Sequence, residues 1–275
     1  MPVISTNNAA NASLNYLNLN STKETSQLAQ LASGSRIVQA SDDAAGLAIG
    51  TQLQANVIVF SQDSTNVQQG TAILQSADGA LAQISNVLQR MMALATEAAS
   101  GQVTNVQRSE DINTEYTQLK SEISSIVGST TYAGQTLLTG SFLSNVKFLV
   151  GTLSSNFLTV SLATVSVAGL LGSTGSTVSS AATALQAINK IGSAINNVTK
   201  DRARIGAYES QFNFSGQDIS TNIQNISSAA SVILDADVAQ VKSNLSSSDV
   251  KTQASVAALT QASQLPQELL KLLQS

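Results

Sequence analysis

Asp42 and Asp43 are the first adjacent carboxylates in this sequence, a pair that could do acid and base work or hold a cation. Successive residues on a helix point about 100° apart, so the pair would not converge on one ligand there. The chain contains no His and no Cys, which leaves neither imidazole nor thiolate to complete a metal site or activate a nucleophile. It also excludes a His-Glu-x-x-His metallopeptidase signature. Asp235 and Asp237 offer a second carboxylate pair, but two carboxylates without further oxygen donors make a poor divalent-cation site. Solvated or backbone-capping aspartates are the plainer reading. Met91 and Met92 could form an adaptable binding surface, yet Met91 falls on an apolar stripe and reads as core filling. These residues describe a chain with no catalytic, cofactor or metal site.

What the elements must position is therefore not chemistry but contact. Aromatic residues make up 4% of the 275 residues and Trp is absent, which favours long helices packed through small and aliphatic side chains. A net charge of −4 with 11% charged residues supplies no basic footprint for nucleic acid. The first residues lack a basic region followed by an apolar one, so no cleaved signal peptide is expected. No continuous apolar run approaches the ~20 residues of a membrane span, and no membrane insertion is expected.

Two segments carry matching sevenfold apolar repeats. Leu53, Phe60, Val67, Leu74, Leu81 and Leu88 form one stripe, and Ile191, Val198, Ile205, Phe212, Ile219 and Ile226 form the other. Equal stripe lengths imply that the two helices pair side by side. A third helix follows from Ile112, Tyr116, Leu119, Ile123 and Ile126, with Thr104 and Gln107 spaced for a capping box before it. Gly134 marks a turn. Val146, Phe148 and Val150 then alternate, as do Leu158, Val160 and Leu162, which predicts short β-hairpins. The fold class expected is mainly α: a long antiparallel helical hairpin or coiled-coil bundle with a small β-hairpin element.

The two ends have sparser stripes. Leu14, Leu17, Leu28 and Leu31 lie at one end, and Val256, Leu259, Leu265, Leu269 and Leu272 at the other, separated by Ser, Thr, Asn and Gln. Burying a Leu contributes roughly 1.5 to 3 kcal/mol, whereas ordering each residue costs about 1 to 2 kcal/mol of backbone entropy. A handful of leucines cannot order such ends alone, so these residues are expected to pack between copies of the chain.

From Ser33-Gly34-Ser35-Arg36-Ile37 through Asp42-Asp43-Ala44-Ala45-Gly46-Leu47-Ala48-Ile49, the sequence resembles the signature of bacterial flagellins. Gly70, Gly79-Ala80-Leu81, Thr131-Tyr132-Ala133-Gly134-Gln135, Ile205-Gly206-Ala207 and Gln261-Ala262-Ser263-Gln264-Leu265-Pro266-Gln267 extend the resemblance over roughly residues 1–140 and 180–275. It implies a subunit that polymerises into the extracellular flagellar filament after export through the flagellum's own type III apparatus. An inner domain (1–45 and 236–275), an outer helical bundle (46–140 and 181–235) and a short β-containing variable segment (141–180) are expected. The implied partners are further copies of the chain, an export chaperone, the filament cap and hook-junction proteins. Arg36, Asp42 and Asp43 would lie near the joint between domains. Gln89, Arg90, Leu94 and Glu115 resemble positions read by the vertebrate flagellin receptor, and an ordinary contact surface between subunits is the equal alternative. Two further classes stay open at this point: a hook-filament junction protein, which shares the helical hairpin, and a cell-surface binding protein.

Overall fold

Helices form where the apolar repeats predict them. The computed structural model describes residues 7–140, 144–153, 155–172 and 177–274, with side chains as far as residue 264. In chain order the elements are α1 (Asn8–Ser33), α2 (Ala44–Ala99), α3 (Asn105–Gln107), a π-helical turn (Arg108–Ile112), α4 (Asn113–Ser129), β1 (Thr131–Tyr132), β2 (Gln135–Thr136), β3 (Val146–Leu149), β4 (Phe157–Val160), α5 (Val167–Leu171), α6 (Ala181–Leu234) and α7 (Val238–Gln274). The two heptad stripes lie on α2 and α6.

The chain divides into two compact units, residues 1–56 with 225–275 and residues 57–224. The division falls inside both long helices, after residue 56 in α2 and before residue 225 in α6, and not at the expected limits at residues 45 and 236. The first turns of α2 pack on the last turns of α6 inside the first unit, where Gly50 lies directly against the Leu234 side chain.

In the unit 57–224, the seams of α2 and α6 face one another and α4 closes the third side. Leu74, Leu81, Leu88, Ile191, Val198, Ile205, Phe212 and Ile219 are all buried, with Tyr116 and Ile123 of α4 among them. Close approach at one level depends on Gly70, because a Cβ there would sit 2.3 Å from Cε1 of Phe212. Thr104 and Gln107 form the capping box that their spacing predicts. Leu53 and Ile226, expected in the same core, are half-buried and lie in the other unit. A pair of helices without a third layer cannot enclose its own seam. Phe60 is half-buried at the edge of the core.

After α4 the chain turns through Ala133 and Gly134, whose positive φ values of 49° and 79° suit a two-residue hairpin joining β1 to β2. The β3 and β4 hairpin pairs Val146 with Val160 and Phe148 with Leu158. Phe148 packs edge-on against Phe212 with ring centroids 5.2 Å apart. The segment 141–180 is more than a peripheral insertion. Val160, Leu162, Val165, Leu170, Leu171 and Val178 all enter the core, the short helix α5 carrying two of them.

α2 is long and apolar enough by composition to cross a membrane, with a mean hydropathy of 1.2 in one 18-residue window. The stretch is not continuously apolar, because Gln52, Gln54 and Asn56 interrupt it. Only 6% of that window is buried, so α2 carries apolar surface that its own chain leaves uncovered.

Candidate assembly surface

In the unit formed by residues 1–56 and 225–275, α1 and α7 pair antiparallel. Ala10, Ser13, Leu17, Asn20, Glu24, Gln27 and Leu31 are partly covered, at alternating steps of three and four that trace one helical seam. Across from it run Val241, Leu245, Ser248, Thr252, Ser255, Leu259 and Ala262. About half of these facing residues are polar. Asn7 Nδ2 donates to the Ala262 carbonyl at 2.6 Å, Asn20 Nδ2 to Ser255 Oγ at 3.1 Å, and Thr252 Oγ1 to Glu24 Oε2 at 3.0 Å.

This pairing encloses little. No residue of α1 is buried. Of the residues expected to pack between copies, Leu17, Leu31 and Leu259 lie on the seam and are half-buried, whereas Leu14, Leu28 and Val256 are exposed. Leu28 is 56% exposed and Tyr16 65%, which leaves apolar side chains on α1 facing water. The side chains of Leu265, Leu269 and Leu272 lie outside the described residues.

The turn between α1 and α2 is held by backbone-directed bonds. Gly34 ends α1 in the left-handed region, and Ser35 bridges to Asp235. The Arg36 N–H donates to the Leu234 carbonyl at 2.6 Å. Asp42 Oδ2 accepts from the N–H groups of Val38 and Gln39 at 3.1 and 2.9 Å. Asp43 Oδ1 accepts from the Gly46 N–H at 2.8 Å and caps the start of α2. Arg36 and Asp43 approach only to 4.0 Å with both side chains about half exposed, so their attraction is small. All three residues lie in the first unit and organise this turn. Asp237 plays the same capping part for α7, accepting from the Gln240 N–H at 3.0 Å. Among the described residues, no group of three or more carboxylates could hold a metal ion.

The four residues resembling a receptor-binding patch do not share one surface. Arg90 and Glu115 form an ion pair at 2.6 Å, and Gln89 is exposed beside them. Leu94 is 2% exposed, because it lies on the core face of α2 and cannot meet a partner directly.

Among the described residues, four polar or charged ones are buried, Asp63, Arg108, Asp201 and Ser248, and the burial of Arg108 and Asp63 matters most for the fold. Arg108, 5% exposed, donates from Nε to the Ala98 carbonyl and from Nη2 to the Ser100 and Val103 carbonyls, both at 3.0 Å. It thereby satisfies carbonyls left free where α2 ends. Its neighbours in sequence are polar, and only the π-helical turn directs it inward. Asp63, 1% exposed, occupies a seam position between Phe60 and Val67 with Oδ2 unpartnered. Burial pushes its carboxyl above the usual range. The heptad count would have exposed it as a polar residue at a core position.

This geometry defines a long-helix structural protein with a closed core in one unit and paired, core-poor helices in the other. Residues 4–142 match the bacterial flagellin N-terminal helical region, and residues 188–273 match the C-terminal helical region. The chain belongs to the bacterial flagellins and is a structural subunit of the flagellar filament. A flagellin of Halalkalibacterium halodurans is 32% identical over 96% of this chain and 97% of its own length. The flagellar filament 30.7 kDa core protein of Treponema maltophilum is 30% identical over 94% of each chain. A structure described as a putative flagellar hook-associated protein from Vibrio parahaemolyticus, 16% identical with a TM-score of 0.57, matches over 70% of this chain and 99% of its own, and shares the fold alone.

Proposed function

We propose that the α1 and α7 pair is the surface through which this flagellin polymerises, and that unit 57–224 is the prefolded body it carries. The observation that supports this is the absence of any buried residue in α1 beside the exposed Leu14, Tyr16, Leu19 and Leu28. Helices this poorly covered gain order when copies cover them, so folding of the ends and association become one event. Contacts of this kind that do not close on themselves generate an open helical tube. The ends then form the inner domain of the filament and the bundle its outer domain.

The chain works as a secreted, extracellular subunit without catalytic activity. Its absence of cysteine and scarcity of aromatics suit export as an unfolded chain. An export chaperone, the filament cap and hook-junction proteins are its proposed accessory partners. The exposed Arg90 and Glu115 ion pair with Gln89 is proposed as a subunit contact, and receptor signalling by purified monomer is expected to be weak. Strong signalling at nanomolar concentration would contradict that. The main test is deletion of residues 236–275 followed by seeding and electron microscopy. A soluble helical monomer that forms no filaments is expected, and filaments from the truncated chain would refute the assignment.

A further inference from the structure

The polar middle of the α1 and α7 seam demands an explanation that burial cannot give. Asn20, Glu24 and Gln27 face Ser248, Thr252 and Ser255 where a stable coiled coil would place aliphatic residues. Two hydrogen bonds join them, Asn20 to Ser255 and Thr252 to Glu24. Gln27 Oε1 is buried without a partner, so the arrangement costs stability. Polar residues at seam positions characteristically exchange stability for choice of partner and orientation.

We propose that Asn20, Glu24 and Gln27 form a partner-selecting patch that directs α1 onto α7 and away from side-by-side pairing with α1 of a second copy. The inference rests on the reading of the ends as the assembly surface. The α7 side supplies what the patch needs, since Thr252 donates to the acceptor-only Glu24 carboxylate. In a parallel α1 pair, Glu24 would meet Glu24, two like charges at one seam level with no donor between them. The leucines at positions 17 and 31 would otherwise suit such a pair. The patch disfavours that alternative wherever two copies meet.

The cysteine-free sequence permits a direct test on the full-length, unpolymerised chain. A single Ser13→Cys reporter places a thiol on the α1 seam, where a parallel α1 pair brings two copies together under mild oxidation. With the patch intact, disulfide-linked dimer should stay at background. Combining the reporter with Asn20→Leu, Glu24→Leu and Gln27→Leu should raise the dimer at least about tenfold. Thr252→Leu with Ser255→Leu removes the α7 partners of Asn20 and Glu24 but leaves the patch itself, so dimer should remain at background. An unchanged level in the triple variant overturns the proposal, as does an equal rise in the α7 variant. Glu24→Leu alone, expected to act in the same direction, serves if the triple variant aggregates. Filament formation is scored separately and bears on the assembly reading, not on the crosslink.

Discussion

Replacing Gly70 by Ala separates packing from helix propensity in the prefolded body. Gly70 lies in α2, and a methyl group there would sit 2.3 Å from Cε1 and 2.9 Å from Cζ of Phe212. Phe212 is fully buried and meets Phe148 edge-on, so its ring has little room to yield. Overpacking of this kind costs about 1 to 3 kcal/mol, against a propensity gain of about 0.5 to 1 kcal/mol for Ala over Gly. Gly79, on the same helix, has nothing within 4 Å of its would-be Cβ, so Gly79→Ala should show the gain alone. Subtracting one from the other leaves the steric cost. At roughly 2 to 4 °C per kcal/mol for a unit of this size, the two variants' midpoints should differ by about 2 to 12 °C. Thermal unfolding of unpolymerised chain by far-ultraviolet circular dichroism reads this directly. Equal midpoints would refute the close packing of α2 on α6 at this level.

Asp63→Asn should stabilise the chain at neutral pH. Because burial raises the folded carboxyl above its ordinary 3.8, the unfolded chain loses its proton first, and stability falls as pH rises from 3.8 through the raised folded value. The difference in urea midpoint between variant and parent should therefore grow across that window and vanish in stronger acid. Arg108→Met should cost about 1 to 3 kcal/mol, since three carbonyls lose their donor. Hydrogen exchange should show faster opening in residues 98–112, and unchanged protection there would contradict the capping role. Ile205→Asp places an unpaired charge where Ile205 is 1% exposed, with a cost of several kcal/mol. Loss of cooperative unfolding is expected, and parental stability would remove Ile205 from the core.

The parts legible in the sequence were those where one physical signal dominates. The heptads of α2 and α6, the Thr104 capping box and the Gly134 turn each follow from local rules. Segment 141–180 was less legible because its core residues, Val160, Leu162, Val165, Leu170, Leu171 and Val178, are spread over a strand, a loop and a five-residue helix. No single period runs through them. Arg108 could not be foreseen, since its burial depends on a π-helical turn that redirects one side chain. Leu94 resembles a surface position of the family, although its place on the apolar face of α2 points inward. In the ends, composition revealed weakness but not its arrangement, because half-polar seams satisfy several registers equally well on paper.

That weakness divides labour within one chain. The seam of α2 and α6 through unit 57–224 is largely apolar and closed on three sides, so it can fold before any partner arrives. The seam of α1 and α7 substitutes Asn20, Glu24 and Gln27 for aliphatic residues and closes on two sides only. Each leucine left outside forgoes roughly 1.5 to 3 kcal/mol of burial, which only a covering neighbour restores. Stronger ends would pair wherever copies met; ends with no seam at all would never order. On the proposed assembly reading, marginal, polar-centred helices avoid both outcomes, because they would gain their missing burial only at a surface that already presents matching helices. On this account growth is favoured over fresh nucleation by the same residues that make the isolated ends weak, and strengthening the seam should speed unwanted association before it improves the filament.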